Sequence, residues 1–144
     1  MSSKLQKDAP VLIVGGGPVG MTMALCLAKR GIASYLVEMR AADALPDVKC
    51  NHIASRSMEL FRSLGISQDL RAAGLPDDYP HDVSYRTSTL GEEIARIHIP
   101  GRSTRLTDHS GPDGNWPTPE PPHRLNQRYI EPILRRHVQK QALI

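Results

Sequence analysis

The stretch VLIVGGGPVG, residues 11–20, decides how the rest of the chain is interpreted. Its first four residues are apolar and mostly β-branched, which predicts a short and fully buried strand. A run of glycines follows, and a helical pattern begins directly after it. Gly15, Gly17 and Gly20 have the spacing of the turn that binds dinucleotides between a strand and a helix.

Each glycine has its own physical reason in such a turn. Gly15 permits the tight turn off the strand, Gly17 lets bare backbone approach a pyrophosphate, and Gly20 lets the helix pack close to the strand. Pro18 suits the first helical turn, where its missing N–H is not needed. The free N–H groups of that turn carry partial positive charge, so they suit a diphosphate.

The residues after the turn complete a βαβ pattern. The helix ends at Lys29-Arg30-Gly31, where basic residues and a glycine form a stop signal, and a strand follows over residues 34–38. Glu38 stands at the end of that strand, where a carboxylate accepts both hydroxyls of an adenosine ribose and repels a 2′-phosphate. The alternative is a plain βαβ unit whose glycines serve only for turning.

The loop over residues 39–54 leaves the second strand on the same side as the glycine turn. Ligands bind at that edge of open α/β sheets. Arg40 and Lys49 are therefore candidates to face a diphosphate, and the alternative is that they are solvated loop cations.

The remainder of the chain predicts further elements of both kinds. Apolar periodicity predicts helices over residues 55–64 and 126–139, with Ser55 and Asn126 as candidate N-caps, and a short helical piece is expected over residues 67–73 before Gly74. Pro132 predicts a kink, or a regular helix that begins only near Glu131. Alternation over residues 82–87 and 92–99 predicts two half-buried strands of an antiparallel hairpin in a second sheet.

These elements divide the chain into four parts. We expect a βαβ unit with its following helices over residues 1–75, a hairpin over 76–100, a Pro/Gly-rich loop over 101–123 and a returning helix over 124–144. A loop of that length indicates a functional lid or a flexible segment. The fold class is α/β, with a Rossmann-like βαβ unit.

Composition excludes several classes of function. A net charge of +3 that is scattered along 144 residues, with one Trp and one Phe, does not indicate nucleic-acid binding. No apolar run is long enough for a membrane span or a signal peptide. Cys26 is expected in the core and Cys50 in a loop, without metal-site spacing, so we expect no metal and a cytoplasmic location.

The separated motifs together resemble one family. The glycine turn, Glu38, KCN at 49–51, RSMELFRSLG at 56–65 and NQRYIEPIL at 126–134 are similar to the N-terminal part of the single-component FAD-dependent aromatic hydroxylases. That family is typified by para-hydroxybenzoate hydroxylase. The likeness is greatest to its larger phenol-type and polyketide-type monooxygenases.

The resemblance implies roles for individual residues. Gly15, Gly17 and Gly20 would hold the FAD diphosphate and Glu38 the adenosine ribose. Gln127 would contact the ribityl and flavin side, unless it is an ordinary glutamine at a helix start. Lys49 stands where many relatives place an arginine, which keeps the charge and loses the planar fork. The cofactor site would also include these flanking residues: Pro18, Val19, Met39 and Arg40.

The resemblance also implies a reaction. Family members reduce FAD with NADPH or NADH and transfer one oxygen atom from O₂ to a small phenolic substrate. The cofactor carries that chemistry, so we assign no catalytic residue, and we do not expect His98, His109 or Asp108 to be catalytic.

The chain departs from the family in length. Relatives have several hundred residues, and two later FAD motifs are absent from the sequence. We therefore expect an incomplete FAD site, a chain that is not a competent hydroxylase alone, and association either with further copies of itself or with the missing part. The alternatives are a Rossmann oxidoreductase that uses NAD directly and a remnant that binds a nucleotide without turnover.

Overall fold

The computed structural model describes residues 8–41, 44–46, 48–111 and 118–144. Within these ranges the chain forms four helices and four strands. In chain order the elements are β1 (Val11–Val14), α1 (Pro18–Lys29), β2 (Ser34–Val37), α2 (Ser55–Ser63), α3 (Ser67–Ala73), β3 (Val83–Arg86), β4 (Glu93–Ile97) and α4 (Gln127–Gln139).

The βαβ unit predicted from the glycine turn is confirmed. Strands β1 and β2 are parallel, with Val11 opposite Ser34 and Val14 opposite Val37. Helix α1 connects them and packs against both β2 and the distant helix α4. The carboxyl ends of both strands therefore meet beside the start of α1.

The prediction that β1 is fully buried is wrong. Its burial alternates: Leu12 is 63% exposed and Val14 is 81% exposed, while Val11 and Ile13 are half-buried. The reason is that α1 covers one face of the sheet, and the described residues leave the other face open. Tyr35 and Val37 lie opposite Leu12 and Val14 on that open face. The expected association with a further chain or segment stays a prediction.

The core lies between α1 and the three later helices. It consists of apolar side chains from every helix and from the segments that precede α2, α3 and α4: Met21, Leu25, Ile53, Met58, Phe61, Ile66, Leu70, Leu125, Ile130, Ile133 and Leu134. Helix α4 thus returns to the first βαβ unit, although the hairpin and the long loop separate them in sequence.

Of the two residues predicted as helix N-caps, one is confirmed and the other is not. Asn126 caps α4, because its side-chain oxygen accepts the backbone N–H of Arg128 at 3.0 Å. Ser55 does not cap α2: Ala54 is the N-cap, and the buried Ser55 hydroxyl has no partner in the part of the chain that is described. Helix α4 begins at Gln127, so Pro132 lies inside the helix. The alternative that the regular helix begins only near Glu131 is therefore wrong.

The hairpin is antiparallel as predicted, but it is not half-buried. Strands β3 and β4 pair with a register shift between Tyr85 and Arg86, and every residue of both strands is exposed. No described element packs on either face, which leaves the alternating apolar residues uncovered. Among the described ranges, no helix has the length and apolar character needed to cross a membrane.

The Pro/Gly-rich loop is fixed at its far end. The buried Arg71 guanidinium on α3 binds the Glu120 carboxylate at 2.9 Å and the backbone oxygens of Pro121 and Pro122 at 2.7 and 3.2 Å. His123 then pairs with Ile53 through two backbone hydrogen bonds. Residues 112–117, on which the prediction of a lid or flexible segment partly rests, lie outside the described residues.

We predict that stability falls as pH drops from 7 to 5. Burial lowers the pKa of His81 and His123 to about 4, below the ordinary value of 6.5. Their neutral rings therefore stabilise the fold above pH 6.5, and this stabilisation is lost as pH falls toward 4, with a limiting slope of about 1.4 kcal/mol per pH unit for each ring. Urea unfolding at the two pH values measures the change.

His98 provides the control for that measurement. It is bound by Asp108 and Asp82, which raise its pKa, so its contribution has the opposite sign and is lost as pH rises. The variant His98→Gln removes this opposing contribution and should keep the fall in stability. A chain that is equally stable at pH 5 and pH 7 in this variant contradicts the account.

We also predict that Gly20→Ala destabilises the fold and Gly17→Ser does not. A Cβ at Gly20 would lie 1.9 Å from the carbonyl oxygen of Gly15, whereas a Cβ at Gly17 would meet no heavy atom of a described residue within 4 Å, apart from its two neighbours in the chain. Overpacking at Gly20 should cost about 1–3 kcal/mol, while serine is a favourable N-cap at position 17. Thermal unfolding of both variants tests this, and equal melting temperatures would contradict it.

Candidate cofactor site

The glycine turn ties the ends of the two parallel strands together. Gly15 adopts φ +112°, a conformation that side chains rarely allow, and its N–H donates to the carbonyl oxygen of Val37 at 2.8 Å. Gly17 is the N-cap of α1, Pro18 follows at the first helical position, and no side chain caps this end. The N–H groups of the first turn therefore have no partner within the helix and make the helix start locally positive.

The glycines of the turn have different surroundings, which match their predicted structural reasons. Gly20 touches the backbone of Gly15, so the helix and strand approach as closely as predicted. Gly17 faces open space, as expected of a position where a ligand approaches bare backbone. Gly16 was not singled out from the sequence, yet a Cβ there would lie 2.9 Å from the Cβ of Glu38.

Glu38 lies directly beside this turn. Its Oε2 accepts the N–H of Gly16 at 2.6 Å, and its Oε1 accepts the backbone N–H of Arg40 at 2.9 Å and the Arg40 Nε at 3.2 Å. The Arg40 backbone N–H, the Gly16 N–H and the Arg40 side chain, in that order, lower the pKa of the carboxyl to about 2. A carboxylate that stays ionised is therefore held next to the open start of α1.

Arg40 lies between two carboxylates. Besides Glu38, its Nη2 contacts Oε2 of Glu131 at 3.2 Å, and the Glu131 side chain is almost wholly buried. The hydrogen bond to Glu38 and the charge of Glu131 raise the pKa of the guanidinium. In this arrangement Arg40 is not a solvated loop cation, and whether it also faces a diphosphate stays a prediction.

The structure brings Lys49 and Gln127 together. The backbone N–H of Gln127 donates to the carbonyl oxygens of Lys49 and Cys50 at 3.3 and 3.1 Å. Cys50 is an exposed loop thiol, as predicted, and its φ of +46° turns the chain there. The Gln127 side chain donates through Nε2 to Oε1 of Glu131 at 2.7 Å, which connects α4 to Arg40 and the end of β2.

Two of the flanking residues predicted for the cofactor site, Val19 and Met39, are exposed at the same edge. Val19 is 83% exposed on the first turn of α1, and Met39 is 98% exposed immediately after Glu38. A mostly apolar cleft of about 550 Å³ begins at Pro18 and Val19 and extends between α1 and α2. Cys26 lines this cleft and is only partly buried, so the prediction of a core position is only partly right.

Two participants were missed as site residues in the sequence. Gly16 lies between Gly15 and Gly17 and is not one of the three glycines that the dinucleotide fingerprint specifies. Glu131 lies in the stretch NQRYIEPIL, residues 126–134, but the resemblance to the family assigned no role to it. A carboxylate four residues after Gln127 and between the core residues Ile130 and Ile133 was the available signal for a buried ion pair.

The described residues offer no metal centre: they contain no group of three or more His, Cys, Asp or Glu side chains that could hold an ion. His98 contacts Asp82 and Asp108 at 3.0 and 2.9 Å, but this cluster joins the exposed hairpin to the following loop. The arrangement at the glycine turn is suited to binding a nucleotide diphosphate.

Comparison with known proteins agrees with this geometry. The family described as the FAD binding domain matches residues 8–144. The chain is 34% identical to the FAD-dependent monooxygenase apdD of Emericella nidulans, over 94% of this chain and 22% of that protein. It is 31% identical to the 2,4-dichlorophenol 6-monooxygenase of Cupriavidus pinatubonensis, over 88% of this chain and 20% of that protein.

A solved structure is similar as well. The rebeccamycin biosynthetic enzyme RebC, determined with reduced flavin, is 36% identical and superposes with a TM-score of 0.76. The match covers 92% of this chain and 24% of RebC. The chain thus spans about a fifth to a quarter of the length of the proteins it matches. It belongs to the FAD binding domain family and corresponds to the N-terminal part of flavin-dependent monooxygenases.

Proposed function

We propose that this chain binds the adenosine diphosphate half of FAD at the glycine turn and contributes part of the flavin side through Lys49 and Gln127. The observation that carries the proposal is the uncapped start of α1 at Gly17, which lies beside the ionised Glu38 carboxylate. The turn supplies main-chain N–H donors for phosphate oxygens, and the carboxylate supplies acceptors for ribose hydroxyls.

The space around the turn supports this assignment. Among the described residues, no heavy atom beyond the two chain neighbours of Gly17 lies within 4 Å of the position of an added Cβ, so a diphosphate can approach the backbone there. At Gly20 the corresponding space is filled by the carbonyl group of Gly15, so this glycine serves the close packing of helix against strand. A ligand that reaches the first turn of α1 would therefore contact the chain at Gly17 and at the exposed Val19.

The second half of the site is supported by the meeting of two distant segments. Lys49 and Gln127 are held together by backbone hydrogen bonds, and Gln127 is linked through Glu131 and Arg40 to Glu38. A cofactor that extends from Glu38 toward Gln127 would follow this line. A cationic side chain and a neutral amide suit a diphosphate and a polyhydroxylated chain respectively.

The proposed parent reaction is oxygen transfer to a small phenolic ring with NAD(P)H and O₂. FAD would supply the redox chemistry when bound, and the residues of this chain would hold and orient it. The name of the dichlorophenol monooxygenase supports the substrate class. We further propose that residues 1–144 alone bind FAD without hydroxylating a substrate, because they span a small part of their relatives.

We predict that Gly17→Val abolishes FAD binding without unfolding the chain. The valine side chain would occupy the open space through which the diphosphate reaches the N–H groups of α1, so the affinity should fall at least about 100-fold, as expected when several charge-assisted hydrogen bonds are lost. Quenching of flavin fluorescence measures the affinity. The matched control is Ala72→Val on the exposed end of α3.

The two variants separate the outcomes clearly. Equal FAD affinities for Gly17→Val and Ala72→Val would contradict the proposal that the diphosphate binds to the open backbone at Gly17. Gly17→Val should remain folded with a melting temperature lowered by only a few degrees, because its Cβ meets no heavy atom of a described residue beyond its chain neighbours and the poorer N-cap costs about 1 kcal/mol.

We also predict that Glu38→Gln relaxes selectivity for the ribose 2′ position. The unsubstituted chain should prefer AMP to adenosine 2′,5′-bisphosphate, two nucleotides that differ only in the 2′-phosphate, because the Glu38 carboxylate accepts the free hydroxyl and repels the extra phosphate. The amide removes the repulsion, so the preference should fall about tenfold, the effect of about 1.4 kcal/mol. Calorimetric titration with both nucleotides measures it, and an unchanged ratio would count against Glu38 as the ribose residue.

A further inference from the structure

Glu131 is a charged group in the core. Its residue is 0% exposed, and its neighbours on α4 include the buried Ile130, Ile133 and Leu134. A buried carboxylate is stable only when its oxygens are bound by donors, because water no longer solvates the charge. The position of Glu131 therefore depends on the groups that contact its oxygens.

Each oxygen of Glu131 serves a different part of the site. Oε2 accepts from Nη2 of Arg40 at 3.2 Å, and Oε1 accepts from Nε2 of Gln127 at 2.7 Å. Arg40 in turn binds Glu38, and Glu38 accepts the N–H of Gly16. A continuous line of hydrogen bonds thus runs from the glycine turn to the first turn of α4.

The contact with Glu131 determines how the Gln127 amide is oriented. A carboxylate has only acceptors, so Gln127 must direct its NH₂ group toward Oε1. The carbonyl oxygen of the amide is then turned away from Glu131 and left to accept a hydrogen bond. An amide fixed in this way presents an acceptor to the hydroxyl groups of a ligand.

Arg40 has a different part in the same arrangement. It supplies the positive charge that the buried carboxylate requires, while Glu38 keeps its backbone hydrogen bonds to Gly16 and Arg40 whether or not Glu131 is charged. A change at Glu131 should therefore disturb Gln127 more than it disturbs the ribose-binding carboxylate.

We propose that Glu131 is a positioning residue, which fixes the Gln127 amide so that its carbonyl oxygen accepts from the hydroxylated chain between the FAD diphosphate and the flavin ring. This inference rests on the proposed FAD site. Glu131 itself is enclosed by α4 and Arg40 and acts through Gln127.

The test compares FAD with ADP, which lacks the ribityl and flavin half. Glu131→Gln keeps the size of the side chain but also offers donors, so the Gln127 amide is free to reverse. FAD affinity should fall about tenfold, the size of one hydrogen bond, and ADP affinity should change less than about threefold. The matched control is Glu59→Gln on α2, whose carboxylate pairs with the exposed Arg56 and which should leave both affinities unchanged.

A second substitution separates positioning from general support of the fold. If Glu131 acts through Gln127, then adding Gln127→Ala to Glu131→Gln should cause no further loss of FAD affinity. A purely structural role predicts instead that FAD and ADP affinities fall by the same factor and that the two substitutions add. Either of those results would overturn the proposal.

A measurement on the unsubstituted chain covers the case in which Glu131→Gln does not fold. The Gln127 side-chain amide protons should exchange with solvent more slowly than those of the exposed Gln68, and NMR measures this directly. Equal exchange rates would overturn the proposal. Failure of the unsubstituted chain to bind FAD would overturn both the site and this inference, whereas FAD binding that Gly17→Val abolishes and Glu131→Gln leaves intact would overturn the inference alone.

Discussion

The contact between Gly20 and the carbonyl oxygen of Gly15 is the constraint on which the rest of the site depends. There is no room for a Cβ at Gly20 between helix α1 and the end of β1, so the first turn of the helix packs directly against the end of the strand. This close approach sets the first turn of α1 at the sheet edge, where Gly17 is open and uncapped. The same residues that allow the packing thus create the positive end that suits a diphosphate.

Charge then extends this local arrangement to the far end of the chain. Glu38, Arg40 and Glu131 alternate in sign from the end of β2 to α4, and Gln127 ends the series. A buried ion pair contributes little net stability compared with apolar packing of the same volume. Its role here is geometric, because it specifies how α4 packs against the βαβ unit and holds the side chains of Glu38 and Gln127 at its two ends.

The sequence was sufficient for the features that depend on local rules. The glycine spacing predicted the βαβ unit, the apolar periodicity predicted α2 and α4, and Asn126 was recognised as a cap. The exposure of Val14 and of the hairpin was not predictable in this way, because alternation and β-branching indicate only that a face is to be covered and not which segment covers it. Glu131 was missed as a site residue because its partner Arg40 is distant in sequence, and a single carboxylate on an apolar helix face does not identify its counter-ion.

The central claim is that main-chain N–H groups at the start of α1 bind the diphosphate of the cofactor. NMR titration of the ¹⁵N-labelled chain with ADP tests this most directly. The account predicts that the backbone amide signals of Gly17, Val19 and Gly20 shift and saturate together, while those at the end of α4 stay in place. Binding of ADP that leaves these three amides unshifted, or no binding at all, would contradict it.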